Sequence, residues 1–130
     1  MPNDVQGNNT ATVERFYQSE RDRDLASWVT FWHKDGRQTF PTLGDEAGVV
    51  GIAALTAVTR EKFETRPPYG IHTRIEGFTD PAKVFAALDL DFPGRPITTI
   101  WCIFHFDSAG LVLEVEEIFD RGSQIESKDV

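Results

Sequence analysis

The chain reads as an α+β protein in which about three N-terminal helices pack into the concave face of a curved, mostly antiparallel sheet, a cone with a pocket at its open end. Apolar residues recur at helical spacing through the first half. From Tyr69 onward they alternate, in four stretches separated by the turn-forming segments "TDPAK", "DFPGRP" and "DSAG". A length of 130 residues with 40% apolar side chains suits one domain with one core. A single domain over 1–130 is therefore expected, its folded core at about 10–120, with the polar ends Met1 to Asn9 and Arg121 to Val130 frayed.

Thr10 can cap a first helix whose Val13, Phe16 and Tyr17 form an i, i+3, i+4 stripe, and Asp24 a second whose Leu25, Trp28, Val29 and Trp32 repeat it. "KDG" at Lys34 to Gly36 reads as a turn, and Arg37 to Pro41 as one short strand before the loop "TLGDEAG". Gly51 opens a third helix, Ile52 to Thr65, which Pro67 and Pro68 stop. Strands follow at Tyr69 to Phe78, Lys83 to Phe92, Ile97 to Phe106 and Leu111 to Phe119, the last two joined by a hairpin through "DSAG". Ile97 to Phe106 is apolar on both faces, so helices should cover one side and a second copy of the chain the other, as a homodimer.

Charge and motif content narrow the function. Lys and Arg number 13 against 21 Asp and Glu, a formal charge of −8, so nucleic acid and anionic membranes are not expected partners. One cysteine, Cys102, excludes an internal disulfide framework. "MPNDVQGNNT" lacks the basic and apolar regions of a secretion signal and no apolar run reaches bilayer length, so a cytoplasmic location is expected. "GDEAGVVG" has neither the Lys nor the spacing of a phosphate loop, and no G-x-G-x-x-G or G-x-S-x-G occurs. No cofactor is indicated. The scattered His33, His72 and His105 have no matching carboxylate spacing, so no metal site is expected either.

The candidate site starts from "LEVEEIFD". Alternation puts Leu113, Val115, Glu117 and Phe119 on one strand face, so a carboxyl lands among apolar side chains. Burial there should raise its pKa toward neutrality, making Glu117 an acid/base able to take and return a proton, or a neutral acid able to donate to a developing oxyanion. The alternative is a β-bulge between Glu116 and Glu117 that turns Glu117 to solvent and Ile118 inward. Phe16, Trp28, Trp32, Phe40 and Trp101 read either as core or, with Val115 and Phe119, as walls for a small hydrophobic or aromatic metabolite. Trp101 would sit near Glu117 if it shares the concave face. His72 alternates onto the more polar face with Arg74 and Glu76, where it is either exposed or turned to the cavity mouth as a second catalytic group.

The order of elements, with "TVERFYQSERDRDLASWVTFWHKDG", "VVGIAALTAVTREKFETRP" and "FHFDSAGLVLEVEEIFD", resembles the cone-shaped barrel of the nuclear transport factor 2-like superfamily, which includes ketosteroid isomerase and the SnoaL polyketide cyclases. Within it the sequence is most similar to the phenazine-biosynthesis PhzA/PhzB type, from about Thr12 to Asp120. The resemblance places Glu117 on that type's acidic cavity residue. The type's histidine falls in the third helix, where this chain has Val58 and its neighbours in "ALTAVTRE". The resemblance implies isomerase- or cyclase-type proton transfer on a hydrophobic, ring-containing metabolite, without a cofactor. The alternative is a non-catalytic ligand-binding or accessory protein that uses the same cavity.

Overall fold

The computed structural model describes residues 2–119. Three α-helices pack against a six-stranded, curved and unclosed sheet. The helices are α1 (Pro2–Arg21), α2 (Leu25–Thr30) and α3 (Ile52–Thr65); the strands are β1 (Trp32–Thr39), β2 (Val49–Val50), β3 (Gly70–Gly77), β4 (Lys83–Asp91), β5 (Thr98–Phe106) and β6 (Val112–Phe119). Their order across the sheet is β2-β1-β6-β5-β4-β3, with every neighbouring pair antiparallel except β1 with β6. No helix among the described residues is long and apolar enough to cross a membrane.

The first helix starts at Pro2, well before Thr10. Proline suits a first helical turn, where its missing N–H would have no partner. Further along, side chains tie the segment to the β3–β4 turn: Gln6 Nε2 donates to the Phe78 carbonyl at 2.7 Å and Asn9 Nδ2 to the Pro81 carbonyl at 2.9 Å. Asn9 is buried, so the stretch expected to fray is anchored up to the turn it reaches. The polar stretch from Arg121 lies outside the described residues.

Asp24 caps α2, accepting from the Ser27 amide at 3.1 Å and the Ser27 hydroxyl at 2.6 Å. The helix ends at Thr30, so Trp32 belongs to a strand and not to a helical stripe. β1 also absorbs "KDG", with an irregularity between Trp32 and Arg37 where the sequence predicted a turn. Gly36 packs so tightly that an added Cβ would lie 2.5 Å from Cε3 of Trp32. That contact explains why glycine is needed there although the strand continues.

Arg23 occupies the left-handed region, φ 53. Its guanidinium donates to the carbonyls of Phe63, Arg66 and Pro67 at 2.8, 2.7 and 2.8 Å, capping the end of α3 from the α1–α2 junction. At the sheet's outer rim, Arg21 Nε donates to the Ile71 carbonyl at 2.9 Å and Nη2 to the Thr73 hydroxyl at 3.1 Å. The core lies between helices and sheet, where Phe16 contacts Trp28, Trp32 and Phe104 with ring centroids 5.6, 5.9 and 5.1 Å away.

Candidate active site

Strand register decides which way Glu117 faces. Through β5 and β6, Ile103 pairs with Glu116 and Cys102 with Glu117 without interruption, so the ladder has no bulge between Glu116 and Glu117. The irregularity comes earlier: His105 pairs with Glu114 and Phe106 with Val112, leaving Leu113 as the extra residue. Leu113 is therefore exposed, not on the Glu117 face, and Val112 takes the inward place with no exposed surface. From Val115 on, the alternation runs as the sequence implies.

Reading across the sheet, Ile75, Ala86, Cys102 and Glu117 form one row on the concave side. Ala86 and Cys102 are fully buried, so the carboxyl has apolar or weakly polar neighbours along its whole row. Burial pushes its pKa from 4.5 to about 7. Lys62 opposes the shift, Glu20 adds to it, and a hydrogen bond from the Gln38 side chain and the charge of Arg66 oppose it further. The residue keeps part of its surface accessible. A group with these properties can exchange a proton near neutral pH and still be reached.

The polar neighbours come from the helices. Lys62 Nζ on α3 lies 3.2 Å from Glu20 Oε1 on α1, and Trp28 Nε1 donates to Glu20 Oε2 at 3.2 Å. Burial alone would lower the Lys62 pKa, but Glu20, Tyr69 and Glu117 outweigh it and the net shift is upward, so the ammonium stays charged. Burial, followed by the field of nearby acidic groups, pushes Tyr17 and Cys102 well above their ordinary values, so both remain neutral and they share a side-chain hydrogen bond. Sequence reading missed Glu20, Lys62 and Gln38. The signal for the first two was present: Glu20 continues the stripe Val13, Phe16, Tyr17 at i+7, and Lys62 stands seven residues after buried Leu55 and three after buried Thr59.

The other predicted residues separate into two groups. Phe16, Trp28, Trp32 and Val115 are buried members of the closed core. Phe40 and Phe119 are half-buried, with ring centroids 6.3 Å apart beside the Glu117 end of β6, and so form the more open aromatic wall. Trp101 corrects the expectation that it adjoins Glu117. It pairs with Ala87 and Ile118 on the opposite face of the sheet and is 53% exposed. Both faces of β5 are apolar, so alternation alone could not tell inside from outside.

His72 is exposed on that outer face too, in a row with Asp89 and Thr99. It lines a shallow depression of about 190 Å³ with Trp101 and Arg74. The sheet thus stands between His72 and Glu117, and His72 does not supply a second group for the interior. His105 is outward as well, 2.6 Å from Glu116, and His33 accepts from the Asp35 amide near the start of β1. Among the described residues, no group of three His, Cys, Asp or Glu side chains is placed to hold a metal ion.

The SnoaL-like domain family model matches residues 13–115. No curated protein matches the chain by sequence. Solved structures similar to it include a proposed polyketide cyclase from Xanthomonas campestris pv. campestris, with TM-score 0.77 and 13% identity over 94% of this chain and 97% of that one. The epoxide hydrolase/cyclase-like enzyme SalBIII, from pyran ring formation in the polyether salinomycin, superposes with TM-score 0.76 and 13% identity over 94% and 96% of the two chains. A phenazine biosynthesis-related protein from Pseudomonas aeruginosa gives TM-score 0.71 and 17% identity over 95% and 82%. At these identities the likeness concerns the fold.

Proposed function

The chain belongs to the SnoaL-like domain family, and from that premise we propose an enzyme of the isomerase or cyclase type that moves a proton on a hydrophobic, ring-containing metabolite held on the concave side of the sheet. Glu117 is its acid/base. One observation carries this reading: a carboxyl is set in the row Ile75, Ala86, Cys102 and Glu117, where burial brings its pKa to about 7. A base poised at the working pH is ionised often enough to take a proton and acidic enough to return it. Phe119, on the same strand face as Glu117, and Phe40 beside it offer half-buried ring faces, and the cyclase-type neighbours of similar fold support the reaction class. The same reading includes a second copy of the chain against the outer sheet face, supported by exposed Trp101.

A test that needs no natural substrate is hydrogen–deuterium exchange at the acidic carbon of beta-tetralone, a ring-bearing ketone, followed by NMR in heavy water. Glu117→Gln keeps the side-chain shape and should lower the enzyme-dependent rate by a factor of about 10² to 10⁴. An unchanged rate in that variant overturns the assignment. A second reading, ligand binding without turnover, is favoured by the placement of His72 and His105 on the outer face. It predicts saturable binding of ring compounds with no exchange above buffer.

A further inference from the structure

The outward face of the sheet carries a group of side chains that the acid/base reading leaves unused. Arg74, Ala87 and Trp101 lie in one row across β3, β4 and β5, and His72, Asp89 and Thr99 in the next. Together they line the depression of about 190 Å³, with the small Ala87 side chain as its floor. On either side of that floor stand Arg74 and Trp101, two strand spacings or about 9.6 Å apart. A flat ring needs about 3.5–4.0 Å to each neighbour, so the span admits one ring and not two. Phe85, two residues before Ala87, closes one end of the slot with its ring 6.1 Å from the indole, and Asp89, two residues after, stands at the other. Charge narrows what fits. Asp89 Oδ1 accepts from the Thr99 hydroxyl at 2.8 Å, and Oδ2 has no hydrogen bond among the described residues. Arg74 is diagonal to Asp89 across the β3–β4 pair, within reach of a long side chain. The two nevertheless form no ion pair, and Arg74 makes no hydrogen bond among the described residues. An ammonium is thus disfavoured by Arg74 and an anion by Asp89, while Asp89, which only accepts, calls for a neutral donor.

We propose that this outer slot is a second ligand site, for a neutral, amino-bearing nitrogen heterocycle of the kind found in nucleosides. Trp101 covers one face of the ring, the Arg74 guanidinium covers the other, and Asp89 accepts from the amino group. A nucleic acid strand is not the occupant, because the chain carries a formal charge of −8 and repels a phosphate backbone. The slot lies across the sheet from Glu117, so it stands or falls apart from the acid/base reading. Pairing of two copies over the outer face would cover the same indole, so the ring and a second copy compete for Trp101.

The probes are adenosine and its amino-dimethylated derivative, which keeps the ring and lacks the amino N–H. Tryptophan fluorescence at low protein concentration reads the site, since Trp28 and Trp32 are buried and Trp101 is exposed. Adenosine should change the emission saturably, and the dimethylated derivative should bind about fivefold or more weakly. Asp89→Leu should make the two probes equal. Arg74→Met should weaken both by a common factor of about threefold, the loss of one cation over a ring face. Both positions are exposed, so neither change touches the core. No saturable response to adenosine, equal affinity for the two probes in the wild type, or a preference kept in Asp89→Leu overturns the proposal. If Asp89→Leu does not fold, Arg74→Met decides: weakening of both probes supports the slot and unchanged affinity overturns it. AMP separates the two sources of such a ring. Binding no tighter than that of adenosine assigns the site to a nucleoside, and tighter binding assigns it to a nucleotide.

Discussion

Setting one carboxyl in a row of apolar side chains ties the stability of the protein to pH. The Glu117 pKa is raised from 4.5 to about 7, so on acidification the folded state takes up the proton first, and on alkalinisation the unfolded chain ionises first. The group's contribution is complete below about pH 4.5, declines as pH rises to about 7, and is constant above that. The decline amounts to at most about 3 kcal/mol, the equivalent of the shift at 1.36 kcal/mol per pKa unit. Urea denaturation at several pH values should show wild type losing stability relative to Glu117→Gln across that window. Parallel curves for the two proteins would contradict it. Glu117 was legible because a period of two leaves a charged residue conspicuous among Val115 and Phe119. Glu20 and Lys62 announce themselves by the same logic at the helical period, but long charged side chains at such positions often reach solvent, so position alone does not reveal a buried pair. That outcome depended on which helices meet, and a single stripe carries no record of its neighbour.

The elements themselves were read well where local chemistry dominates and poorly where distant contacts do. α3 runs from Ile52 to Thr65, between Gly51 and the proline pair as its punctuation requires, and the four later strands fall within a residue or so of their predicted limits. The start of α1 was invisible because "PNDVQGNNT" has weak helical propensity, and what holds it is Gln6 and Asn9 bonding to backbone more than 70 residues away. β1 was shortened by reading "KDG" as a turn, when the strand instead carries an irregularity there to follow β6. The α1–α2 junction supplies the test at this scale. Arg23 holds the Phe63 carbonyl near the end of α3 and the Arg66 and Pro67 carbonyls just beyond it through three hydrogen bonds from a charged donor. Arg23→Ala should destabilise the protein by about 2 kcal/mol, net of the water that replaces the guanidinium. Arg23→Lys should recover part of that loss, and a melting temperature equal to wild type in the alanine variant would remove the clamp from the account.

At the scale of the whole molecule, the sheet separates two sets of chemistry, one facing the helices and one facing outward. The outer set includes Trp101, whose ring centroid lies 6.1 Å from that of Phe85, and the Arg37–Glu114 pair at 2.9 Å. An exposed tryptophan within a polar surround is the pattern of a contact patch. If a second copy covers it, sedimentation at about tens of micromolar should show a dimer, and Trp101→Glu should raise the dissociation constant by about tenfold or more without altering the circular dichroism. A monomer at all concentrations would refute the pairing. The cone stays open at two rims, and one of them is covered at a single point. An uncapped strand is a template on which another chain can lay its own backbone, and copies can add without limit. Arg21, held also by the Thr73 hydroxyl, occupies the Ile71 carbonyl, a backbone acceptor of the kind such an incoming strand would use. A guanidinium set on that carbonyl leaves one rung fewer for any chain that would pair along β3.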